Sequence, residues 1–211
     1  MKALDALLEQ RGMWIDWDFK YKVGECLFQA IAVVAVSLKL PGSTALTFRS
    51  IRDMAREFLE ASESGKKLHP EIIGALIGNS WRDETRWNGV TEAKAARLAE
   101  KVTALITRLN TPGTPFNADT GWPDGGCCIV VAAVLNIRIF CHYRDGSVQP
   151  LGGGWPHMQH KHPPQIHLAF TGKPAEGHYT PCLPLPGWKP HVYVLDDSLH
   201  PDVEDLTVEG G

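Results

Sequence analysis

Apolar residues recur at helical spacing through the first half of the chain, with charged residues between them. This spacing predicts helices wherever it continues for two turns or more. The predicted helices cover residues 2–10, 26–40, 47–62, 70–77 and 91–110. Pro41 and Gly42 end the second of them, because proline cannot continue a helix. Residues 13–22 alternate aromatic and polar side chains and fit either a strand or a loop.

The second half of the chain changes its pattern after a long segment rich in turn residues, 111–126. A further buried helix is predicted over residues 127–136, after which β-branched and aromatic residues favour strands. The predicted strands cover residues 137–143, 166–172 and 177–184, with a hairpin turn at 144–146. Helices thus concentrate in one half and a small sheet in the other, which is typical of the α+β class.

Length and composition fit one domain. The chain has 211 residues, 44% of them hydrophobic and 21% charged, which is enough for one sizeable core. We predict a single domain over residues 1–211 with its core at about residues 12–185. The helix at 2–10 and the tail at 196–211 are predicted to be peripheral.

Charge and cysteine content narrow the partners and the compartment. The formal net charge is −3 and no cluster of lysine and arginine stands out, so we expect no nucleic-acid partner. The five cysteines have no disulfide or CxxC spacing, which favours a reducing compartment. No segment resembles a signal peptide, and the longest apolar run is too short for a bilayer. We therefore expect a cytoplasmic monomer that binds a protein or a small molecule.

Cys26 is the strongest candidate for chemistry, because it opens a helix. A thiol at a helix N-terminus lies beside unpaired backbone N–H groups and the positive end of the helix dipole, which favours the thiolate. Gly24 permits a tight turn, so the backbone N–H groups of Gly24 and Glu25 can point at a substrate oxygen. The charge of Glu25 opposes the thiolate unless its side chain points to solvent. On local sequence alone, a buried cysteine acting as a small hydrophobe is the simpler interpretation of Cys26.

A thiolate nucleophile needs a general base, and His178 is the best candidate. It follows Gly177 in the segment "GHYTP", where a strand is predicted. It lies 152 residues beyond Cys26 (178 − 26), which is compatible with a thiol on a helix facing an imidazole on a sheet. A solvent-exposed histidine in a turn is the alternative interpretation.

Two other groups of residues compete for a chemical role. Cys127 and Cys128 begin a helix after two glycines, but no histidine-bearing segment fits them as well, so we assign both to the core. Four histidines lie close together: His157, His160, His162 and His167. Imidazoles at such spacing can bind zinc. With no local cysteine or acid, and with prolines among them, they fit a polar loop better.

Three segments together resemble the ovarian tumour (OTU) domain family of cysteine proteases. "VGECLFQAIA" resembles its nucleophile motif, which opens the central helix. "WPDGGCCIVVAAVLNIRIFCHY" resembles the middle block, and "IHLAFTGKPAEGHYTPCLP" resembles the closing block with its His-Tyr pair. Their order and spacing match the family over about residues 20–185.

The resemblance implies a papain-like α+β fold, with a small central sheet between helical lobes. It also implies a deubiquitinating protease that hydrolyses the peptide or isopeptide bond after the C-terminal glycine of ubiquitin or a ubiquitin-like protein. Cys26 is then the nucleophile, His178 the general base, and the backbone of Gly24 and Glu25 the oxyanion donors. No cofactor or metal is implied.

The sequence departs from the family at two positions, which leaves the third catalytic residue open. Val23 stands where many members have aspartate, and Thr180 where many have asparagine or aspartate. Asp18, Asp16, Thr180 or no residue at all can orient the imidazole, and we choose Asp18. The departures also keep two alternatives: a catalytically impaired OTU-like module that binds ubiquitin, and a viral polyprotein-processing protease of the same fold.

Overall fold

The fold is known from a computed structural model that describes residues 2–21, 24–77, 92–111, 125–152, 163–171 and 177–187 of the chain. Its α-helices are α1 (Lys2–Gln10), α2 (Cys26–Ser37), α3 (Phe48–Glu60), α4 (Pro70–Ile77), α5 (Glu92–Asn110) and α6 (Gly125–Leu135). Its strands are β1 (Met13–Ile15), β2 (Arg138–His142), β3 (Val148–Gly152), β4 (Gln165–Thr171) and β5 (His178–Pro184). Helices packed on one mixed sheet confirm the α+β class.

The strands form a five-stranded sheet in the order β1-β5-β4-β2-β3. The pair β2 and β4 is parallel, and the other three pairs are antiparallel. Both outer strands are short or irregular. Strand β1 has three residues, and β3 contains Pro150, which pairs beside a register shift between Ile139 and Phe140 of β2. The sequence predicted neither β3 nor the pairing of β1 with β5. Because β1 joins the sheet, the sheet includes residues of the N-terminal half as well.

Helix α2 lies at the centre of the core, against β4, β5 and α3. Its buried residues form one broad face of the helix: Cys26, Leu27, Phe28, Ala30, Ile31, Val34 and Ala35. The helix ends sooner than predicted, because Lys39 adopts a left-handed backbone with a φ of 53°. The Leu40 N–H then donates to the Ala35 carbonyl at 3.0 Å, which closes the last turn.

Helix α1 and strand β1 form a second, smaller apolar cluster. Its members are Leu4, Leu8, Met13, Ile15, Ala169 and Cys182. Leu8 is completely buried, so this side of α1 packs on the domain. The tail at 196–211 lies outside the described residues.

The two long amphipathic helices follow their sequence pattern closely. Helix α3 begins with a capping box, in which the Thr47 hydroxyl accepts a hydrogen bond from the Ser50 N–H at 3.1 Å. The predicted apolar stripe of α5 is buried at Leu98, Val102, Leu105 and Leu109. In the part of the chain that the structure describes, no helix is long and apolar enough to cross a membrane.

Two histidines form a buried pair across the parallel strands. His142 Nε2 lies 3.0 Å from His167 Nδ1, and the His167 ring stacks on Phe140 with centroids 5.4 Å apart. His167 therefore lies in β4, and its assignment to a polar loop is wrong. Burial, with the nearby His167 and Arg11, lowers the pKa of His142 to about 2.

The His142 pair should make the fold sensitive to acid. The His142 imidazole has a pKa of 6.5 in the unfolded chain and about 2 in the folded chain, so the unfolded chain binds a proton at pH values where the folded chain does not. The free energy of unfolding should thus fall by about 1.4 kcal/mol between pH 7.5 and 5.5 from this group alone. Urea unfolding at the two pH values measures it, with His142→Gln as the comparison. An unchanged pH dependence in the variant would contradict the assignment.

Candidate active site

The candidate site forms where a left-handed glycine leads into the first turn of α2. Gly24 has a φ of 75°, which glycine adopts without a steric penalty. Glu25 is the N-cap residue, and its side chain does not cap the helix. Its carbonyl accepts the first helical hydrogen bond, from the Gln29 N–H at 3.0 Å. The first N–H groups of α2 have no helical acceptor, as the sequence predicted for this turn.

The Cys26 thiol lies against the beginning of β5. The Tyr179 backbone lies near enough to lower the pKa of the thiol, as do the Leu27 and Cys26 backbone groups of its own turn. Cys26 is only 6% exposed. The fold therefore brings the thiol to the residue next to His178, although the two lie far apart along the chain.

Burial dominates the ionisation of Cys26. Burial raises its pKa above the ordinary value of 9.0, the backbone groups of Tyr179, Leu27 and Cys26 lower it, and the charge of Glu25 adds a smaller increase. The helix start thus favours the thiolate less than the sequence suggested, because the same packing that buries α2 also removes water from the sulfur. The thiol is protonated at neutral pH and needs a base to become a nucleophile.

His178 begins β5 as a half-buried residue. Its ring packs on Tyr21, with the ring centroids 4.2 Å apart, and burial lowers the pKa of His178. The imidazole is therefore neutral at physiological pH, the form that a general base requires. Within the described residues, no hydrogen bond joins it to Cys26 or Asp18.

Gly177 fixes the backbone just before His178. A Cβ at Gly177 would lie 1.9 Å from Cζ of Phe170. The Phe170 ring cannot easily move away, because it packs between Tyr143 and Tyr179 at centroid distances of 5.8 and 5.7 Å. Only glycine fits, and its closeness to the ring holds the start of β5 on the core.

The segment that carries the candidate acids runs beside the first half of β5. The Asp16 N–H donates to the Pro181 carbonyl at 3.1 Å, and Tyr21 reaches His178. The segment turns rather than extends between these points, since the Phe19 N–H donates to the Asp16 carbonyl at 3.1 Å. Asp18 is exposed on this turn, so its role as the orienting acid stays a prediction.

Thr180, the other candidate, is buried two residues after His178. Alternation along a strand places both side chains on the same face of β5. Its hydroxyl lies 3.5 Å from that of Thr171, whose hydroxyl also donates to the His178 carbonyl at 3.4 Å. Thr180 is thus part of a small hydroxyl network that holds the strand to β4.

A buried ion pair beside the nucleophile was not predicted from the sequence. Glu25 points inward and pairs with Arg52 of α3, so its charge does act against the thiolate, as expected for a side chain that does not point to solvent. The sequence holds one signal for this pair. Arg52 falls on the buried stripe of α3, with Ala55 three residues and Leu59 seven residues later.

The competing residues contribute to the core. Cys127 and Cys128 are buried in the first turn of α6, and all five cysteines are free thiols. His157, His160 and His162 lie outside the described residues. Among the residues that the structure describes, no group of three or more metal-binding side chains comes together.

Comparison with known proteins finds similarity among solved structures. No family model matches the chain, and no curated protein matches it. Among solved structures, the chain is similar to the OTU domain of OTUD1, with 15% identity and a TM-score of 0.47. The match covers 86% of this chain and 93% of that chain. At this TM-score the likeness carries no inference about the site, so the functional proposal rests on the residues themselves.

Replacing Gly177 by alanine should impair His178 without abolishing the fold. The added Cβ must displace Phe170 or the strand start, and a shift of about 1 Å in a reacting group can cost roughly a hundredfold in rate. Gly74→Ala in α4 is the matched control, since a Cβ there meets nothing within 4 Å. Both variants should be measured for cleavage of a ubiquitin conjugate, the reaction that the family resemblance implies, and for the free energy of unfolding. Full turnover in Gly177→Ala would contradict the role of this contact.

The reactivity of Cys26 should follow its raised pKa. Because only the thiolate reacts, alkylation by iodoacetamide should accelerate with pH through neutrality and continue to rise beyond pH 9. Mass mapping of the modified cysteine gives the rate for Cys26 alone. A plateau below pH 8 would show that the thiolate is far more stable than its burial implies.

Proposed function

We propose that this protein is an OTU-like cysteine protease that removes ubiquitin or a ubiquitin-like protein from its conjugates. The observation that carries the proposal is the packing of the first turn of α2, which holds Cys26, against the start of β5 at Tyr179. It places the "GECLF" and "GHYTP" segments side by side, and these segments hold the residues that the family resemblance makes catalytic.

The reaction begins with the transfer of the Cys26 proton to His178. The imidazole first turns from the Tyr21 ring toward the sulfur, because catalytic hydrogen bonds often form only once substrate is bound. The thiolate then attacks the carbonyl carbon of the terminal glycine of ubiquitin. The negative charge that develops on the carbonyl oxygen is stabilised by the backbone N–H groups of Gly24 and Glu25, with that of Cys26 nearby.

The intermediate then collapses to a thioester. The C–N bond breaks, and the imidazolium of His178 gives its proton to the departing amine. Water, deprotonated by the same imidazole, adds to the thioester carbonyl, and the Cys26 sulfur leaves and recovers a proton. The low exposure of Cys26 supports a preference for glycine before the scissile bond, because a side chain there would meet the walls of the site.

The setting that we propose is the cytoplasm. All five cysteines are free and buried, which suits a reducing compartment. The partners are ubiquitin or ubiquitin-like conjugates, and two exposed tryptophans, Trp14 at 41% and Trp17 at 43%, lie on the chain that leads to the site. Exposed aromatics of this kind commonly anchor protein partners.

A catalytically impaired module that binds ubiquitin is the second candidate. It is favoured by the protonated thiol and by the absence of a hydrogen bond between His178 and an acid among the described residues. A ubiquitin probe with a C-terminal electrophile separates the two, since an impaired module binds the probe without forming a covalent adduct.

Cys26→Ala should abolish cleavage of di-ubiquitin and labelling by the electrophilic probe. The fold should survive, because a methyl group replaces a small thiol at a helix start. Cys127→Ala and Cys128→Ala should stay labelled at Cys26, as mass mapping will show. If Cys128→Ala loses the probe label although Cys26 is unchanged, the assignment of Cys26 as the nucleophile is wrong.

His178→Ala should lower turnover by about a hundredfold or more, because the thiol loses its proton acceptor. Steady-state kinetics on di-ubiquitin provide the measurement. His142→Gln is a suitable comparison, since that imidazole is buried in the sheet and should be irrelevant to turnover. Equal loss in both variants would indicate damage to the fold rather than removal of the base.

Asp18→Ala should depress turnover strongly and slow probe labelling without abolishing it. An orienting acid keeps the imidazole in its productive tautomer and stabilises the imidazolium. Asp16→Ala and Thr180→Ala, measured by the same assay, should have smaller effects. If all three variants keep near-wild-type turnover, a Cys–His dyad performs the reaction and the choice of Asp18 is wrong.

A further inference from the structure

A charged pair is buried directly behind the candidate nucleophile. Glu25 is 2% exposed and Arg52 is 8% exposed, and the two side chains form an ion pair. The Arg52 guanidinium also lies 5.4 Å from the centroid of the Phe28 ring. One arginine of α3 therefore contacts both the residue before Cys26 and the residue one half-turn after it.

Stability alone does not explain such a pair. Removing two charges from water costs free energy that their attraction often fails to recover, and apolar residues of similar size do as well or better. The pair is also incompletely satisfied, since Glu25 Oε2 and Arg52 Nε have no hydrogen-bond partner among the described residues. A costly arrangement at this position calls for a reason connected with its neighbour.

The neighbour is the turn that presents the thiol. Glu25 occupies the N-cap without capping the helix, so its side chain is free to serve another purpose. With Gly24 in the left-handed conformation, this turn has little side-chain material to hold it. The ion pair ties it to α3, which is itself fixed by a capping box and packs on α2, α5 and α6.

We propose that Arg52 is a positioning residue of the candidate active site, which holds the Gly24–Glu25 turn through its buried ion pair with Glu25. The pair orients the backbone N–H groups that face the substrate oxygen, and it compensates a negative charge next to the sulfur. This inference rests on the proposed function, because it gives Arg52 its role relative to a nucleophilic Cys26.

The charge compensation has a readout of its own. Among the described residues, the titratable groups that bear on Cys26 are Glu25 on its own turn and Tyr179 on β5, with His178 next to Tyr179 along the strand. Burial raises the pKa of Tyr179 and lowers that of His178, so both are neutral near pH 7. Glu25 is then the charge that bears on the thiolate, and Arg52 is the cation that offsets it.

The test compares Arg52→Gln, Glu25→Gln and the double variant with Arg56→Gln. Arg56 lies one turn later in α3 and, within the described ranges, its ion pairs are with exposed acids, such as Asp53 at 3.4 Å, so it is a matched control. Three quantities are measured on each variant: kcat and KM on di-ubiquitin, the pH profile of iodoacetamide alkylation at Cys26, and the free energy of unfolding in urea.

Arg52→Gln should lower kcat by about tenfold or more with little change in KM, since oriented donors act mainly in the transition state. Its alkylation at Cys26 should be slower at each pH than in the wild type, because the Glu25 charge is no longer offset. Glu25→Gln should shift the alkylation profile to lower pH, and the double variant should recover part of the kcat lost in Arg52→Gln. Arg56→Gln should match the wild type in all three measurements.

Several outcomes would overturn the proposal. In the first, Arg52→Gln lowers the free energy of unfolding, but its kcat and its alkylation profile equal those of Arg56→Gln. If Arg52→Gln does not fold, Glu25→Gln decides instead, and an unchanged kcat and profile there also reject the role. Alkylation needs no substrate, so shifted profiles in a protein that cleaves nothing would support Arg52 and reject the protease. Normal cleavage of di-ubiquitin with unshifted alkylation profiles would support the protease and reject the role of Arg52.

Discussion

The packing of α2 on β4 and β5 determines where everything else in the molecule lies. The broad apolar face of α2 must leave water, so the sheet and the neighbouring helices pack on it, while Val36 on the other side stays 46% exposed. Ala30 and Ala35 are completely buried, and such small residues let a helix approach its neighbours closely. The axis of α2 then fixes its first turn beside the start of β5. Apolar packing thus brings together the polar groups of the candidate site.

The same packing sets the chemical character of the site. A sulfur at the end of a buried helix is shielded from water, which favours the neutral thiol, while nearby backbone N–H groups favour the anion. The two effects act on one atom, and the balance shifts when a substrate or a neighbouring charge changes the surroundings. The buried Glu25–Arg52 pair lies directly beside this atom. Strained or costly features often gather where a protein performs its chemistry.

Much of the fold follows from local sequence, because the apolar periodicity of a long segment predicts its secondary structure. Helices α3 and α5 have clear apolar stripes, and the start of α2 follows from the glycine and thiol before an apolar run. The outer strands do not, since three residues in β1 and a proline in β3 show no period. His167 looks polar in the sequence, yet the sheet and its own partner His142 bury it.

The site was predictable in part for the same reason. The motifs around Cys26 and His178 are local, so the sequence can show them. The pairing of Glu25 with Arg52 joins residues 27 positions apart (52 − 25), and only packing reveals it. The choice among Asp18, Asp16, Thr180 and no third residue depends on how a short turn lies beside β5, which no periodicity encodes.

The shape of the sheet edges has a consequence for the behaviour of the protein in a crowded solution. An exposed strand edge is a template on which other chains can assemble, through its free N–H and C=O groups. Among the described residues, the edge at β1 is three residues long, and the edge at β3 contains a proline that cannot donate a hydrogen bond. Neither edge presents a long ladder to a passing strand. The sheet therefore resists growth into aggregates, even though its central strands are rich in the residues that form fibrils.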